Sequence, residues 1–244
     1  MLIALLKGKL SGEQRNMEDL LTSNVFGLLQ HYQEKLALLP FIREARTLEG
    51  RQPLGDVPDE TRATYEFWPL WRTETGRYCE PDVVLQLELP DDSRRLVLVE
   101  AKFHAGKSDT ADVETTGEIR DQLAREWACL LTEADRRRAQ PVLIYLTPHL
   151  APPRDDIEAS LAALGAIAGP APVISWLSWR RLTTVLSATA DPLLRELNAS
   201  LIRLGLELFT GLPDIRPWGP VLWTFENRWD WPASTIESVT WRFT

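Results

Sequence analysis

The sequence predicts an α/β fold, and three observations carry that reading. Two stretches of alternating apolar residues, about 82–89 and 95–102, flank the turn Pro90-Asp-Asp-Ser93 and read as a hairpin. Apolar residues recur with helical spacing both before and after it. A short apolar run, Val142-Leu-Ile-Tyr-Leu-Thr147, then follows Pro141 and reads as a buried strand.

Ser11-Gly-Glu-Gln14 has capping-box spacing. After it Met17, Leu20, Leu21, Leu28, Leu29, Tyr32 and Leu36 share one helical stripe. The expectation is a helix over about 12–38, with a break near Thr22-Ser-Asn24 and an end at Pro40. Residues 47–62 are rich in Gly, Pro, Asp and Glu and read as a loop. Thr64–Arg72 suits a strand, demoted to an edge by Pro69. Residues 104–117 read as a polar loop. Ile119, Leu123, Trp127, Leu130 and Leu131 predict a helix from Gly117 to about Arg138. A helix over 155–168 and a strand over 173–176 follow. Asp191-Pro192 pairs an N-cap with a first-turn proline and opens a helix to about Phe209. Val221–Phe225 and Ser238–Phe243 suggest a terminal hairpin.

The hairpin brings chemistry together. With the turn centred near residue 91, paired numbers sum to 182, so Asp82 faces Glu100 and Val84 faces Leu98. Opposed residues point to one side of a sheet. Alternation then puts Lys102 on the side of Glu100. Val83, Leu85, Leu87, Val97, Val99 and Ala101 form the opposite, apolar face of a half-buried sheet. Two carboxylates at cross-strand distance repel unless something neutralises them, and a hard divalent cation does so. The bland alternative is an ion pair between Glu80 and Lys102, with Asp82 merely starting a strand.

Pro81-Asp82 and Glu100-Ala101-Lys102 resemble the PD-(D/E)XK nuclease superfamily. The resemblance covers about half the chain, from the first helix to the strand at 142–147. It implies a restriction-endonuclease-like core: a central mixed β-sheet flanked by helices. On that expectation residues 1–150 form the nuclease core. Residues 151–244 form an extension of helices and a Trp-rich β-hairpin, packed with the core as one compact domain. The resemblance further implies Mg2+ or Mn2+ held by Asp82, Glu100 and the backbone carbonyl of Ala101, with Lys102 at the attacking water. Members of the family often carry a Gln near the start of the following helix and an aromatic about a turn later; Gln122 and Trp127 are similar, one residue off the commonest spacing. An acid in the first helix is the remaining family feature. Glu18 is the candidate, with Asp19 and Glu13 as rivals, and the helix dipole alone also favours acids there. Lys107, in Phe103-His-Ala-Gly-Lys107, and Arg125 are candidates to meet nucleic-acid phosphates, and His104 is a weaker candidate base. The expected partner is nucleic acid, DNA first. The resemblance also suggests work as a homodimer or inside a multi-protein defence complex.

Composition bounds the alternatives. Hydrophobic residues make up 44% and charged residues 25% of the 244, which is ordinary for a globular chain. The net charge of −8 excludes a general electrostatic grip on nucleic acid but leaves room for a local basic patch. No apolar run approaches the roughly 20 residues that span a bilayer, so the chain reads as cytoplasmic and no membrane partner is expected. Two cysteines, Cys79 and Cys129, form neither a disulfide framework nor a zinc motif and read as reduced thiols. There is no GxSxG elbow, and no GxGxxG follows a strand. Five of the ten tryptophans (Trp218, Trp223, Trp229, Trp231 and Trp241) crowd the tail. They could stack on unpaired bases, pack a small β appendage or dock a protein. A non-catalytic scaffold that binds partners through this tail is the second functional expectation.

Overall fold

The computed structural model describes residues 13–72, 78–103, 121–165 and 171–208, with side chains in the first helix from Glu18 onward. The chain divides into two compact units, Met1–Leu208 and Phe209–Thr244. The second, with its expected hairpin and five tryptophans, lies outside the described residues.

The first unit is α/β. A five-stranded sheet has the order β1 (Arg62–Phe67), β4 (Val83–Glu88), β5 (Arg94–Ala101), β6 (Gln140–Thr147), β7 (Ile174–Ser178). A separate two-stranded ribbon pairs β2 (Trp71–Arg72) with β3 (Tyr78–Cys79). The sheet is mixed: β1, β4 and β5 run antiparallel, whereas β5, β6 and β7 run parallel. Parallel neighbours need crossover connections, and helices α3 (Gln122–Arg137) and α4 (Arg154–Leu164) lie in those connections.

Both faces of the sheet are covered. On one, Val83, Leu85, Val97, Val99, Ala101, Ile144 and Leu146 pack with Leu21, Val25, Phe26 and Leu29 of α1 (Glu13–Leu29). The short α2 (Leu38–Ile42), α5 (Trp179–Leu186) and α6 (Pro192–Arg203) join that layer. On the other face Val84, Leu96, Leu98, Leu143 and Tyr145 pack with Leu123, Trp127 and Leu130 of α3 and Ile157 and Leu164 of α4. The half-buried sheet expected from the alternation is therefore corrected. Its signal was the unbroken run Leu96-Val-Leu-Val99, the mark of a strand buried on both sides.

Several element boundaries differ from expectation for local reasons. Helix α1 runs through Thr22 and Ser23, both buried, and stops at Leu29 rather than near 38. The chain there tightens, with His31 N–H donating to Leu28 O and Tyr32 N–H to Leu29 O, and turns back. Leu38, Leu39, Phe41 and Ile42 can then all be buried on the short α2. Pro40 lies inside α2, in its first turn, where an N–H has no intrahelical partner to lose. Helix α3 opens on Asp121, whose side chain accepts from Ala124 N–H. Asp191 caps α6 and Pro192 begins it, as the sequence indicates. That helix ends before Phe209 because Gly205 takes φ +74°, letting Leu206 N–H close back on Leu201 O. Helix α5 was not foreseen, although Trp179, Leu182, Thr183 and Leu186 form a clean helical stripe.

Cys79 of β3 and Cys129 of α3 are joined as a disulfide, their Cα atoms 6.8 Å apart. This corrects the expectation of two reduced thiols. They lie 50 residues apart in sequence, so no local spacing announces the pair.

Candidate active site

The hairpin has the register read from its turn: Val83 pairs with Val99 and Val84 with Leu98. Asp92, at φ +64°, and the bond from Leu89 N–H to Ser93 O close the turn that sets it. One step beyond Val83, Asp82 stands opposite Glu100.

Asp82 is fixed through both oxygens. The indole N–H of Trp68 donates to Oδ1 at 3.1 Å and the backbone N–H of Ala101 donates to Oδ2 at 2.8 Å. Trp68 N–H also donates to Asp82 O at 3.1 Å. To make both contacts Trp68 adopts φ +46°, a left-handed conformation that a bulky residue rarely takes. Ala101 itself is fully buried.

Lys102 follows the last residue of β5 and its backbone is pinned from two sides. Its N–H donates to Leu146 O at 2.7 Å, and its carbonyl accepts from the indole N–H of Trp179 at 3.1 Å. Its ammonium reaches Glu100 Oε1 at 2.6 Å and Glu18 Oε1 at 3.3 Å. Glu18 accepts from Phe103 N–H at 3.1 Å through its other oxygen. It comes from α1, on the opposite face of the sheet from α3, and reaches round the end of β5. Lys102 therefore pairs with Glu100 and Glu18, and the alternative Glu80–Lys102 pairing is not what forms.

Helix α3 brings the remaining groups. Gln122, its first residue, donates through Nε2 to Glu100 Oε1 and, at 3.1 Å, to Glu126 Oε1. Glu126 was not foreseen. It occupies the position one turn after Gln122, where four-residue spacing keeps a side chain on the same helix face. Trp127, aligned with the family's aromatic in the sequence reading, is instead buried among Leu123, Leu130 and Leu98. The sequence signal for Glu126 was the spacing itself, Gln122-x-x-x-Glu126.

The cluster is deeply placed. Glu100 and Glu126 are each 2% exposed, Lys102 7% and Asp82 8%. Burial, and then the charges of Asp82 and Glu126, push the Glu100 carboxyl well above the usual range. Burial likewise pushes Glu126 up to about 7 and raises Glu18. Burial works against the Lys102 charge, but Glu100, Asp82 and Glu18 together hold its pKa above the ordinary value. Four carboxyls thus surround one ammonium.

Of the expected residues, Asp82, Glu100, Lys102, Glu18 and Gln122 are brought together. Asp19 is buried on α1, and the Glu13 side chain lies outside the described residues. Arg125 is half-buried on α3 beside Glu126. Lys107 and His104 lie outside the described residues.

The donor set fits a hard divalent cation. Magnesium is bound by one or two carboxylates and keeps several waters, so Asp82 and Glu100 with a backbone oxygen suffice. Among the described residues no three acid, histidine or cysteine side chains form a cation cage by themselves. The excess of buried carboxylate over ammonium is the charge such an ion would offset. Comparison with family models, curated proteins and solved structures found no match to this chain. Among the described residues no helix is long and apolar enough to cross a membrane.

Proposed function

We propose that this chain is a divalent-metal-dependent nuclease of the PD-(D/E)XK type, with a restriction-endonuclease-like core, hydrolysing phosphodiester bonds in DNA. The observation that carries the reading is the convergence of Asp82, Glu100 and Lys102 at the end of one hairpin, with carboxylates in excess. Asp82 and Glu100, with the Ala101 carbonyl, are the residues that would hold Mg2+ or Mn2+. Such an ion supplies a Lewis acid for the phosphoryl oxygens and acidifies a water.

The protein's own groups do the rest. Trp68 and the Ala101 N–H aim Asp82. Lys102 presents its ammonium beside Glu100, where it orients the attacking water and stabilises charge building on the phosphoryl oxygens. Glu18 holds that ammonium, and Gln122 holds Glu100. The water oxygen bonds to phosphorus, the bond from phosphorus to one sugar oxygen breaks, and the proton ends on that departing oxygen. Work in a bacterial defence, restriction or repair system, as a dimer or within a larger cytoplasmic complex, belongs to the same proposal.

The test is cleavage of plasmid and single-stranded DNA with Mg2+, Mn2+ or chelator. Wild type is expected to cut only with metal, and Lys102→Ala to lose about 100-fold or more, as when a charge-stabilising donor is removed. Equal cutting by both proteins would remove the role given to Lys102. No cutting by wild type, together with no Mn2+ affinity by calorimetry, would favour a non-catalytic scaffold.

A further inference from the structure

Strand β6 ends in a loop that the chemistry at Lys102 leaves without work, and side chains hold that loop firmly. Arg180 Nε donates to Pro148 O at 2.9 Å, and Ser178 Oγ donates to His149 O at 2.7 Å. The His149 ring is held as well, its Nδ1 lying 3.0 Å from Thr147 Oγ1. Prolines at 148, 152 and 153 stiffen the chain on either side. Held in this way, His149 is exposed, and Leu150 beside it is 72% exposed.

The hydrogen on the His149 ring can be placed. Trp176 Nε1–H donates to Thr147 Oγ1 at 2.9 Å, and an indole nitrogen is a donor only. The Thr147 hydroxyl is fully buried and has one hydrogen of its own to give. Among the described residues its remaining partner is His149 Nδ1. Were Nδ1 to carry the ring hydrogen, the hydroxyl hydrogen would be buried without an acceptor, which is costly. Nδ1 therefore accepts, and the neutral ring carries its N–H at Nε2. Among the described residues nothing accepts from that N–H.

Position gives the donor an object. Strands β5 and β6 run parallel and end on the same side of the sheet, where Lys102 N–H donates to Leu146 O. His149 lies three residues beyond Leu146, so the chain carries it at most about 10 Å further. Its bond from Ser178 draws it toward β7, away from the hairpin that carries Asp82. Successive phosphates of a DNA strand advance about 3.4 Å along the helix axis, which puts the loop within about three nucleotide steps of a phosphate seated at Lys102.

We propose that residues 148–151 grip the DNA beside the cut: His149 Nε2–H donates to a phosphate flanking the scissile one, and Leu150 packs on the adjoining deoxyribose. The inference rests on the nuclease reading. Contacts of this kind set the register of a strand on the protein. A directional N–H donor on a braced loop does so without a lysine patch, in keeping with a net charge of −8. Thr147 and Trp176 are positioning residues, since they fix which ring nitrogen donates.

The experiment has two arms on the full-length protein. Nitrogen NMR of the histidine rings, without DNA, reads the tautomer. Wild type is expected to show His149 as the Nε2–H form, and Thr147→Val to show a mixture. The Nδ1–H form in wild type overturns the proposal. The second arm is steady-state cleavage of a short DNA duplex with Mn2+. His149→Ala is expected to raise KM about 10-fold, as when a hydrogen bond to a charged group is lost, with a smaller fall in kcat. His149→Gln, which again offers an N–H donor, is expected to recover most of that loss, and Leu150→Ser to raise KM less. Melting temperatures of each variant separate lost grip from lost fold. An unchanged KM in His149→Ala, on a wild type that cuts, overturns the grip and leaves the nuclease standing. No cutting by folded wild type overturns both.

Discussion

Asp82 owes its aim to a tryptophan that accepts an unfavourable backbone for the purpose. Trp68 sits at φ +46° and gives both its indole and its backbone N–H to Asp82. Strain of this sort, about 1–3 kcal/mol, persists where the surroundings over-determine it. Trp68→Phe keeps the ring's bulk and deletes the indole donor. It is expected to weaken Mn2+ binding about 10- to 100-fold, the usual cost of losing a group that orients a ligand, with little change in melting temperature. Unchanged affinity would show that Trp68 only packs. The acids make a second prediction at this scale. Glu126 is raised from 4.5 to about 7, and Glu100 and Glu18 are raised as well. A carboxyl raised on folding binds its proton more tightly in the native state, so its contribution is full below its unfolded value and is lost as pH rises through its folded one. Metal-free protein should therefore lose stability between about pH 4.5 and 7, and Glu126→Gln should flatten that slope. Thermal melts across the range in chelator check it; a slope equal in both proteins removes Glu126 as its cause.

At the scale of elements, helix α3 is the piece that completes the site, and it is stapled in place. The Cys79–Cys129 disulfide ties it to the ribbon strand that ends three residues before Asp82. A crosslink spanning 50 residues typically adds about 2–4 kcal/mol. Cys79→Ser with Cys129→Ser should lower the stability by that amount in denaturant melts, and an unchanged midpoint in oxidised and reduced protein would show that the bond carries no load. How far such elements could be read in advance follows from the range of the interaction behind each. The hairpin register was legible because turn centre and alternation are local, and it placed Asp82, Glu100 and Lys102 correctly. Glu18 and Gln122 were legible only as candidates, since a helix face can be read but not its destination. Glu126 was passed over for its neighbour Trp127, although four-residue spacing pointed to it. Trp68, Trp179 and the disulfide act across 14, 77 and 50 residues, and no local pattern encodes such distances.

For the molecule as a whole, the site sits where two helical layers meet at the end of one sheet, so the proposed ion would act as a rivet between layers. A ligand bound only by the native state stabilises by about 2.7 kcal/mol at a hundredfold excess over Kd. In a unit of this size each kcal/mol raises Tm by about 2–4 °C. Saturating Mn2+ should thus raise the melting temperature of wild type by several degrees and that of Asp82→Asn by distinctly less. A shift shared equally by both would place the ion elsewhere. The wiring of Lys102 has a further consequence. Its ammonium is met by Glu18, 84 residues earlier, and its carbonyl by Trp179, 77 residues later. A chain emerging from the ribosome has made every acid and the lysine of the site well before it has made the tryptophan that pins the lysine's strand. On the proposed nuclease reading, cutting power is expected only once β7 and α5 have docked, so the half-made protein would be harmless to the cell that is making it.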